Sequence, residues 1–103
     1  MTKQHYFFKL IPPRPTFPQD ISPAETLLMQ EHAQYFLQHF TAGTVLAYGP
    51  VLAPGAAFGF AVLEVADESA ARAFGENDPS VKASLNRFEI YPMRLTGAQG
   101  SRS

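Results

Sequence analysis

The sequence contains no cysteine, which excludes disulfide bonds and thiolate metal sites. It also has no excess of one charge, since the formal net charge is -1 and the pI is near 6.3. That balance provides no electrostatic footprint for nucleic acid or for an acidic membrane surface. No apolar run approaches the roughly 20 residues that a membrane span needs, and the N-terminal apolar run is too short for a signal peptide. We therefore expect a soluble, cytoplasmic protein without nucleic-acid or membrane partners.

The motifs of several common enzyme classes are missing as well. There is no G-x-S-x-G motif, no P-loop, no G-x-G-x-x-G motif and no histidine pair of the H-E-x-x-H type. His32 and His39 are seven residues apart, about 10 Å along a helix at roughly 1.5 Å per residue, which is too far for one metal ion. We expect neither a metal site nor a cofactor.

The chain does have enough apolar side chain for one core. Its 103 residues suit a single domain, and 46 % of them are hydrophobic, with nine Phe and four Tyr. We expect one domain over residues 1–96 and a disordered Gly/Ser/Gln-rich tail over 97–103. A domain of this size is marginally stable unless it buries further surface against a partner.

Hydrophobic patterning predicts strands and helices in the order β-α-β-β-α-β. Ser22 and Glu25 form a capping box at the start of the first helix, and Gly43 ends it. The second helix begins at Asp67 and is expected to end early, at Gly75, before a short further helix in SVKASL. The strands are expected over residues 5–11, 44–52, 58–66 and 87–95, with a bulge or an early end of pairing at Gly49-Pro50 in the second.

This order is that of the ferredoxin-like fold, an α+β class with a four-stranded antiparallel sheet and two helices on one face. Strand 58–66 is apolar at almost every position, which indicates that both of its faces are covered. Because the helices cover only one face of the sheet, we predict a homodimer that packs sheet on sheet.

The segment PPRPTFPQDISP, residues 12–23, holds five prolines and is therefore a loop. It is a stiff loop with two large side chains, Arg14 and Phe17. One interpretation is a lid over a pocket, and the other is a surface connection that packs Phe17 onto the domain.

QEHAQYFLQH, residues 30–39, places His32 in the middle of an apolar cluster on the first helix. Such a histidine is either a core residue satisfied by one hydrogen bond or a functional one that an acid orients. Most acids have another role or direction: Glu25, Glu31, Glu64 and Asp67. Asp78, in an Asn-Asp-Pro turn, is the acid with the least obvious structural partner, although a turn alone also explains it.

Taken together, these segments resemble the YciI-like (YCII-related) family in order and spacing over residues 5–95. HAQYFLQHFTAG is similar to the histidine helix of the family, and GTVLAYGPV to the following strand, which ends in Gly-Pro. FGFAVLEVADESAARAF resembles its central strand and second helix, and ENDPSVKASLNRFEIYPM its Asp-Pro turn and last strand. The PPRPTF loop and Met29 resemble a branch with an elongated first loop.

The resemblance implies a ferredoxin-like fold that forms a dimeric α+β barrel. It also implies an active site built on a His–Asp dyad, which maps to His32 and Asp78. One branch of the family is linked to removal of chloride from a chlorinated hydroxyquinol, and similar barrels host ring isomerases and small cofactor-free monooxygenases.

Two functions follow as hypotheses. In the first, an enzyme without cofactor performs isomerisation or elimination on a small cyclic or aromatic compound, with His32 as general base or acid and Asp78 orienting it. Four further residues are candidates for substrate binding: Arg14, Phe17, Tyr48 and Pro50. In the second, the dimer is a non-catalytic ligand-binding or accessory module. A third possibility is a structural His32–Asp78 hydrogen bond that anchors the Asp-Pro turn.

Overall fold

The computed structural model describes residues 3–99, which form one antiparallel sheet with helices beside it. The sheet order is β2-β3-β1-β4. In chain order the elements are β1 (Gln4–Ile11), α1 (Pro23–Ala42), β2 (Val45–Val51), β3 (Phe58–Val65), α2 (Glu68–Glu76), α3 (Pro79–Lys82) and β4 (Arg87–Met93). The predicted α+β class with a four-stranded antiparallel sheet is confirmed, and α3 adds a short third helix to the two main ones.

Helix α1 begins and ends where capping chemistry predicts. The Glu25 N–H donates to Ser22 Oγ, and the Ser22 N–H donates to Glu25 Oε1 at 2.9 Å. At the other end, Gly43 adopts the left-handed conformation with φ 92°, and its N–H donates to the carbonyls of the last turn. The N-cap stabilises the helix by about 1 kcal/mol.

The predicted end of the second helix at Gly75 is wrong. Helix α2 continues through Gly75 to Glu76, and Asn77 is its C-cap. An ideal Cβ on Gly75 would lie 2.5 Å from Cε2 of Phe88, so the glycine allows α2 to pack closely on β4. Asp67 is the N-cap, as expected, because its side chain accepts from the N–H of Ala70.

The predicted interruption at Gly49-Pro50 is also wrong. Pairing of β2 with β3 continues through Pro50, opposite Gly59, to Val51, and the register irregularity lies earlier, between Val45 and Ala47. Strand β2 is at the edge of the sheet, where the missing N–H of a proline breaks no central ladder.

The hydrophobic core lies between the helices and one face of the sheet. Phe8 is at its centre and is fully buried. Its ring stacks on Phe88 and meets Phe74 edge-on, in both cases at 5.5 Å between centroids. The other buried members of this cluster are Tyr6, Leu10, Phe36, Val45, Ala61, Leu63, Val65 and Ala71.

The opposite face of the sheet is partly exposed and carries an apolar group beside the polar residues His5, Lys9, Glu64 and Glu89. Phe7 stacks on Phe60 at 6.3 Å between centroids and contacts Tyr91 at 6.4 Å. Val62 pairs with Phe7 across β1 and β3 and shares this face. We call this surface, defined by Phe7, Phe60, Val62 and Tyr91, the open face. Among residues 3–99, no helix has the length and apolar character needed to traverse a bilayer.

Candidate active site

A cavity of about 820 Å³ lies between α1, strand β2 and the proline-rich loop. Its walls are mainly apolar. They include aromatic side chains from the sheet and from α1, prolines from the loop, and small residues from the β2–β3 connection. The polar side chains among the lining residues are Gln19, His32, Tyr48 and Asn86.

His32 and Asp78 are in direct contact at the wall of this cavity. The distance from His32 Nδ1 to Asp78 Oδ2 is 2.8 Å. The Asp78 side chain is fully buried, whereas the His32 side chain retains 16 % exposure. The imidazole also packs on the ring of Phe36, with 4.5 Å between centroids, and this contact restricts its orientation.

Asp78 is positioned by its role as the N-cap of α3. Its Oδ1 accepts from the Ser80 N–H at 2.9 Å and from the Ser80 hydroxyl at 3.0 Å. Pro79, at the first position of α3, has no N–H to satisfy and fixes the start of the turn. Both carboxylate oxygens therefore accept hydrogen bonds, which is how a buried carboxylate is compensated for lost hydration.

This arrangement fixes the tautomer of His32. Because Oδ2 of Asp78 is an acceptor, the neutral imidazole carries its proton on Nδ1 and its lone pair on Nε2. Among the residues that the structure describes, Nε2 makes no hydrogen bond, and His32 lines the cavity. The ring nitrogen that can exchange a proton with a bound molecule is thus Nε2.

Tyr35 is near enough to Asp78 to feel its charge, but it is not a lining residue of the cavity. Burial raises the pKa of Tyr35 to about 12, and the nearby charge of Asp78 adds to this shift. Its hydroxyl donates to the Phe74 carbonyl at 2.7 Å. Tyr35 is therefore a neutral structural group, and it does not compete with His32 for protons near neutral pH.

The proline-rich loop forms one wall of the cavity and is fastened to α1 by Arg14. Phe17 is buried and lines the cavity. All three nitrogens of the Arg14 guanidinium donate to protein oxygens, with Nη2 at 2.7 Å from Glu25 Oε1 and Nε at 3.0 Å from Asp20 Oδ1. The Arg14 guanidinium lowers the pKa of Glu25 to about 2.

The structure thus brings four of the six candidate site residues to the cavity wall: Phe17, His32, Tyr48 and Pro50. Asp78 lies one hydrogen bond behind His32. Arg14 is not among the lining residues, because Glu25 and Asp20 hold its guanidinium at the base of the loop. The Tyr48 ring packs between Phe36 and Phe40, and the side chain is 40 % exposed.

The other two histidines are engaged elsewhere. His39 Nδ1 is 2.8 Å from the Tyr35 carbonyl, one turn back along α1, and His5 Nε2 is 3.1 Å from Glu64 Oε2 on the open-face side of the sheet. Over residues 3–99, no three His, Asp or Glu side chains come together in a group able to hold a metal ion.

Among the lining residues that sequence reasoning did not single out, Asn86 is the buried polar one. It is 2 % exposed and stands immediately before β4. In the sequence, Asn86 is only a small polar residue between Leu85 and a strand with alternating polarity. The same pattern is typical of an exposed residue at the start of a strand. Its burial depends on the turn before it, which no local pattern reveals.

Comparison with known proteins bears on the fold. In structure, the chain is similar to 5-chloro-2-hydroxyhydroquinone dehydrochlorinase from Burkholderia phenoliruptrix AC1100, solved in complex with 2,5-dihydroxybenzoquinone. The TM-score is 0.63 with 23 % identity, covering 86 % of this chain and 93 % of that one. An uncharacterized protein from Thermotoga maritima gives a TM-score of 0.53 with 17 % identity, covering 89 % of this chain and 99 % of that one. No curated protein sequence matches.

The sequence itself matches a family model, that of the YCII-related domain, over residues 8–94. The match includes α1 with His32, the Asp-Pro turn with Asp78 and all but the first residues of the sheet. The chain therefore belongs to the YCII-related domain family.

Proposed function

We propose that the protein is an enzyme that performs acid/base chemistry on a small cyclic or aromatic compound without a cofactor. The observation that carries the proposal is the buried Asp78 carboxylate, 2.8 Å from Nδ1 of His32, with Nε2 left for the cavity. A binding pocket does not require such a coupled pair, whereas a general base requires both orientation and support for the charge it acquires.

In this mechanism Nε2 of His32 removes a proton from a substrate O–H or acidic C–H bond. The imidazolium that forms is stabilised by the Asp78 carboxylate through Nδ1–H. In an isomerisation the proton returns from Nε2 to another substrate atom. In an elimination the electron pair of the broken C–H bond forms a double bond, and the leaving group departs with its own bonding pair. Positioned acid/base catalysis of this kind contributes roughly 10² to 10⁴-fold.

The cavity supports the proposed substrate class. Its volume of about 820 Å³ falls within the range of small-molecule sites. Phe17, Phe36 and Tyr48 provide aromatic walls on which a ring can pack. The structural neighbour from Burkholderia was solved with a quinone ring bound, and its name describes removal of chloride from a ring compound. Substrate binding by Phe17, Tyr48 and Pro50 is part of this proposal, whereas the contacts of Arg14 favour a structural role.

A second candidate function is non-catalytic binding of a small ligand, with His32 and Asp78 as a structural pair. It is favoured by one observation, that Asp78 already serves as the cap of α3 and would be required there in any case. The same pair then anchors the Asp-Pro turn to α1.

A turnover screen with matched histidine variants separates the two functions. The wild type, His32→Gln and His39→Gln are incubated with a panel of hydroxylated and halogenated benzenes and cyclic enols, and products are detected by mass spectrometry. Both variants replace a histidine of α1, but only His32 lines the cavity. We expect turnover by the wild type and His39→Gln and a loss of roughly 10² to 10⁴-fold in His32→Gln. Equal rates in both variants, or ligand binding without turnover, would favour the non-catalytic function.

We also propose that one domain, residues 1–96, forms a cytoplasmic homodimer through the open face. The disordered tail expected over 97–103 lies, at 100–103, outside the described residues. Val62→Lys places a charge in the open face, and Leu27→Lys is a control on the outer surface of α1, where Leu27 is 62 % exposed. Sedimentation velocity should give dimers for the wild type and Leu27→Lys and monomers for Val62→Lys. A monomeric wild type would contradict the dimer.

A further inference from the structure

Asn86 is the one buried polar side chain at the cavity that the His32–Asp78 chemistry does not use. It lines the cavity and is 2 % exposed. Within residues 3–99, its Oδ1 is the only buried side-chain nitrogen or oxygen without a hydrogen-bond partner. Leaving a buried acceptor unpaired costs free energy that an apolar side chain of similar size would not cost.

The orientation of this amide is set by Met29. Asn86 Nδ2 donates to the Met29 thioether sulfur at 3.4 Å. Sulfur is an acceptor and not a donor in a thioether, so the opposite orientation would place two acceptors against each other. Oδ1 is therefore the free group, and it requires a donor.

The backbone holds Asn86 in this place through Ser80. The N–H groups of Leu85 and Asn86 both donate to the Ser80 carbonyl, at 2.9 and 3.1 Å. Ser84 has φ 61°, in the left-handed region, and this turn returns the chain to the Ser80 carbonyl. Since Ser80 also donates twice to Asp78, one residue positions both the carboxylate behind His32 and the amide at the cavity wall.

We propose that Asn86 is a specificity-determining residue whose Oδ1 accepts a hydrogen bond from a hydroxyl or amine of the bound ligand. Met29 also lines the cavity, and its unbranched side chain holds the amide only by a weak N–H···S bond. Because Oδ1 is itself buried, a ligand donor reaches it only when neighbouring side chains move. The inference rests on the proposed function in one respect, that the cavity is the ligand site.

The test asks whether one hydroxyl of a ligand donates to Oδ1 of Asn86. Binding of hydroquinone and of 4-methoxyphenol, in which one hydroxyl is capped by a methyl group, is measured by NMR titration of the amide signals. The proteins are the wild type, Asn86→Leu and the control Asn77→Leu, which alters an exposed asparagine at the end of α2. We expect the wild type and Asn77→Leu to bind hydroquinone about tenfold more tightly than 4-methoxyphenol, and Asn86→Leu to bind both equally.

Thermal unfolding separates this role from a structural one. Asn86→Leu removes an unpaired buried acceptor, so its Tm should equal or exceed that of the wild type. A lowered Tm with an unchanged tenfold preference would show that Asn86 only supports the fold, and the inference would be overturned. Asn86→Ala is carried in parallel as a second variant and should lose the preference in the same way.

The remaining outcomes are equally decisive. A wild type that binds neither phenol, or binds both equally, contradicts an acceptor role for Asn86. If Asn86→Leu keeps the preference while His32→Gln loses turnover in the screen above, the inference about Asn86 fails and the proposed function stands. If His32→Gln retains full turnover, the proposed function fails whatever Asn86 does.

Discussion

Replacing Asp78 with asparagine tests the dyad with little change of shape. The amide oxygen introduced by Asp78→Asn would still accept from the Ser80 N–H and hydroxyl, and asparagine is as good an N-cap as aspartate. The amide nitrogen would then face His32 Nδ1, where the carboxylate oxygen now lies at 2.8 Å. Two donors cannot pair, so His32 must move its proton to Nε2 and accept at Nδ1.

The magnitudes follow from these contacts. The three hydrogen bonds to the carboxylate become neutral ones, but the cost of burying its charge is removed at the same time, so the free energy of unfolding should fall by only about 1 kcal/mol. Turnover should fall far more, by roughly 10² to 10⁴-fold, because the lone pair on Nε2 is lost and the imidazolium has no counter-charge. Asp78→Ala, in contrast, leaves three donors without an acceptor and should cost about 3 kcal/mol or more.

Urea denaturation gives the stabilities, and the turnover assay gives the rates. The reasoning is refuted if Asp78→Asn keeps full activity, or if its activity falls only in proportion to the fraction unfolded. The second result would identify the His32–Asp78 contact as an anchor of the Asp-Pro turn.

Three further outcomes test the packing and the electrostatics. Glu25→Gln should destabilise the protein at neutral pH, and the difference from the wild type should vanish as the pH falls from about 4.5 to about 2. The reason is that the pKa of Glu25 is lower in the folded protein than in the unfolded chain, so its stabilising effect is present above the unfolded pKa and lost below the folded pKa. Urea denaturation at several pH values measures the difference. Tyr35→Phe should gain stability relative to the wild type as the pH rises from about 10 to about 12. Because the pKa of Tyr35 is higher in the folded protein than in the unfolded chain, ionisation of this tyrosine favours the unfolded state in that range. A stability difference that stays constant with pH would contradict this. Gly75→Ala should lower the free energy of unfolding by about 1–2 kcal/mol despite the better helix propensity of alanine, since its Cβ meets the Phe88 ring, and a rise in Tm would contradict the packing.

Local chemistry explains why the elements could be predicted. The capping box of Ser22 and Glu25 and the left-handed Gly43 act within one helical turn, so the bounds of α1 are readable from neighbours in sequence. Gly75 shows where local sequence no longer decides the end of a helix. A glycine late in a helical segment is equally consistent with a helix end and with close packing, and the contact that decides is with Phe88, thirteen residues later.

In the candidate site, too, single residues could be predicted from local sequence, whereas their long-range contacts could not. His32 is conspicuous as a polar residue in an apolar cluster, but its pairing with Asp78 joins residues 46 positions apart, and it was the family resemblance that named the pair. Arg14 was a candidate for substrate binding, but the loop places Asp20 and Glu25 around its guanidinium, and neither contact follows from a local pattern. Asn86 was missed because its burial depends on the Ser80 carbonyl and the Ser84 turn.

The most direct test of the central claim is the long-range ¹H–¹⁵N correlation spectrum of the His32 imidazole, assigned with His32→Gln. It is recorded at several pH values, so that the tautomer is read from the neutral form of the ring. The structure predicts a proton on Nδ1, a bare Nε2, and a change in the Nε2 signal when hydroquinone binds. A proton on Nε2 in the free protein, or an Nε2 signal indifferent to every ring compound, would contradict a general base at the cavity wall.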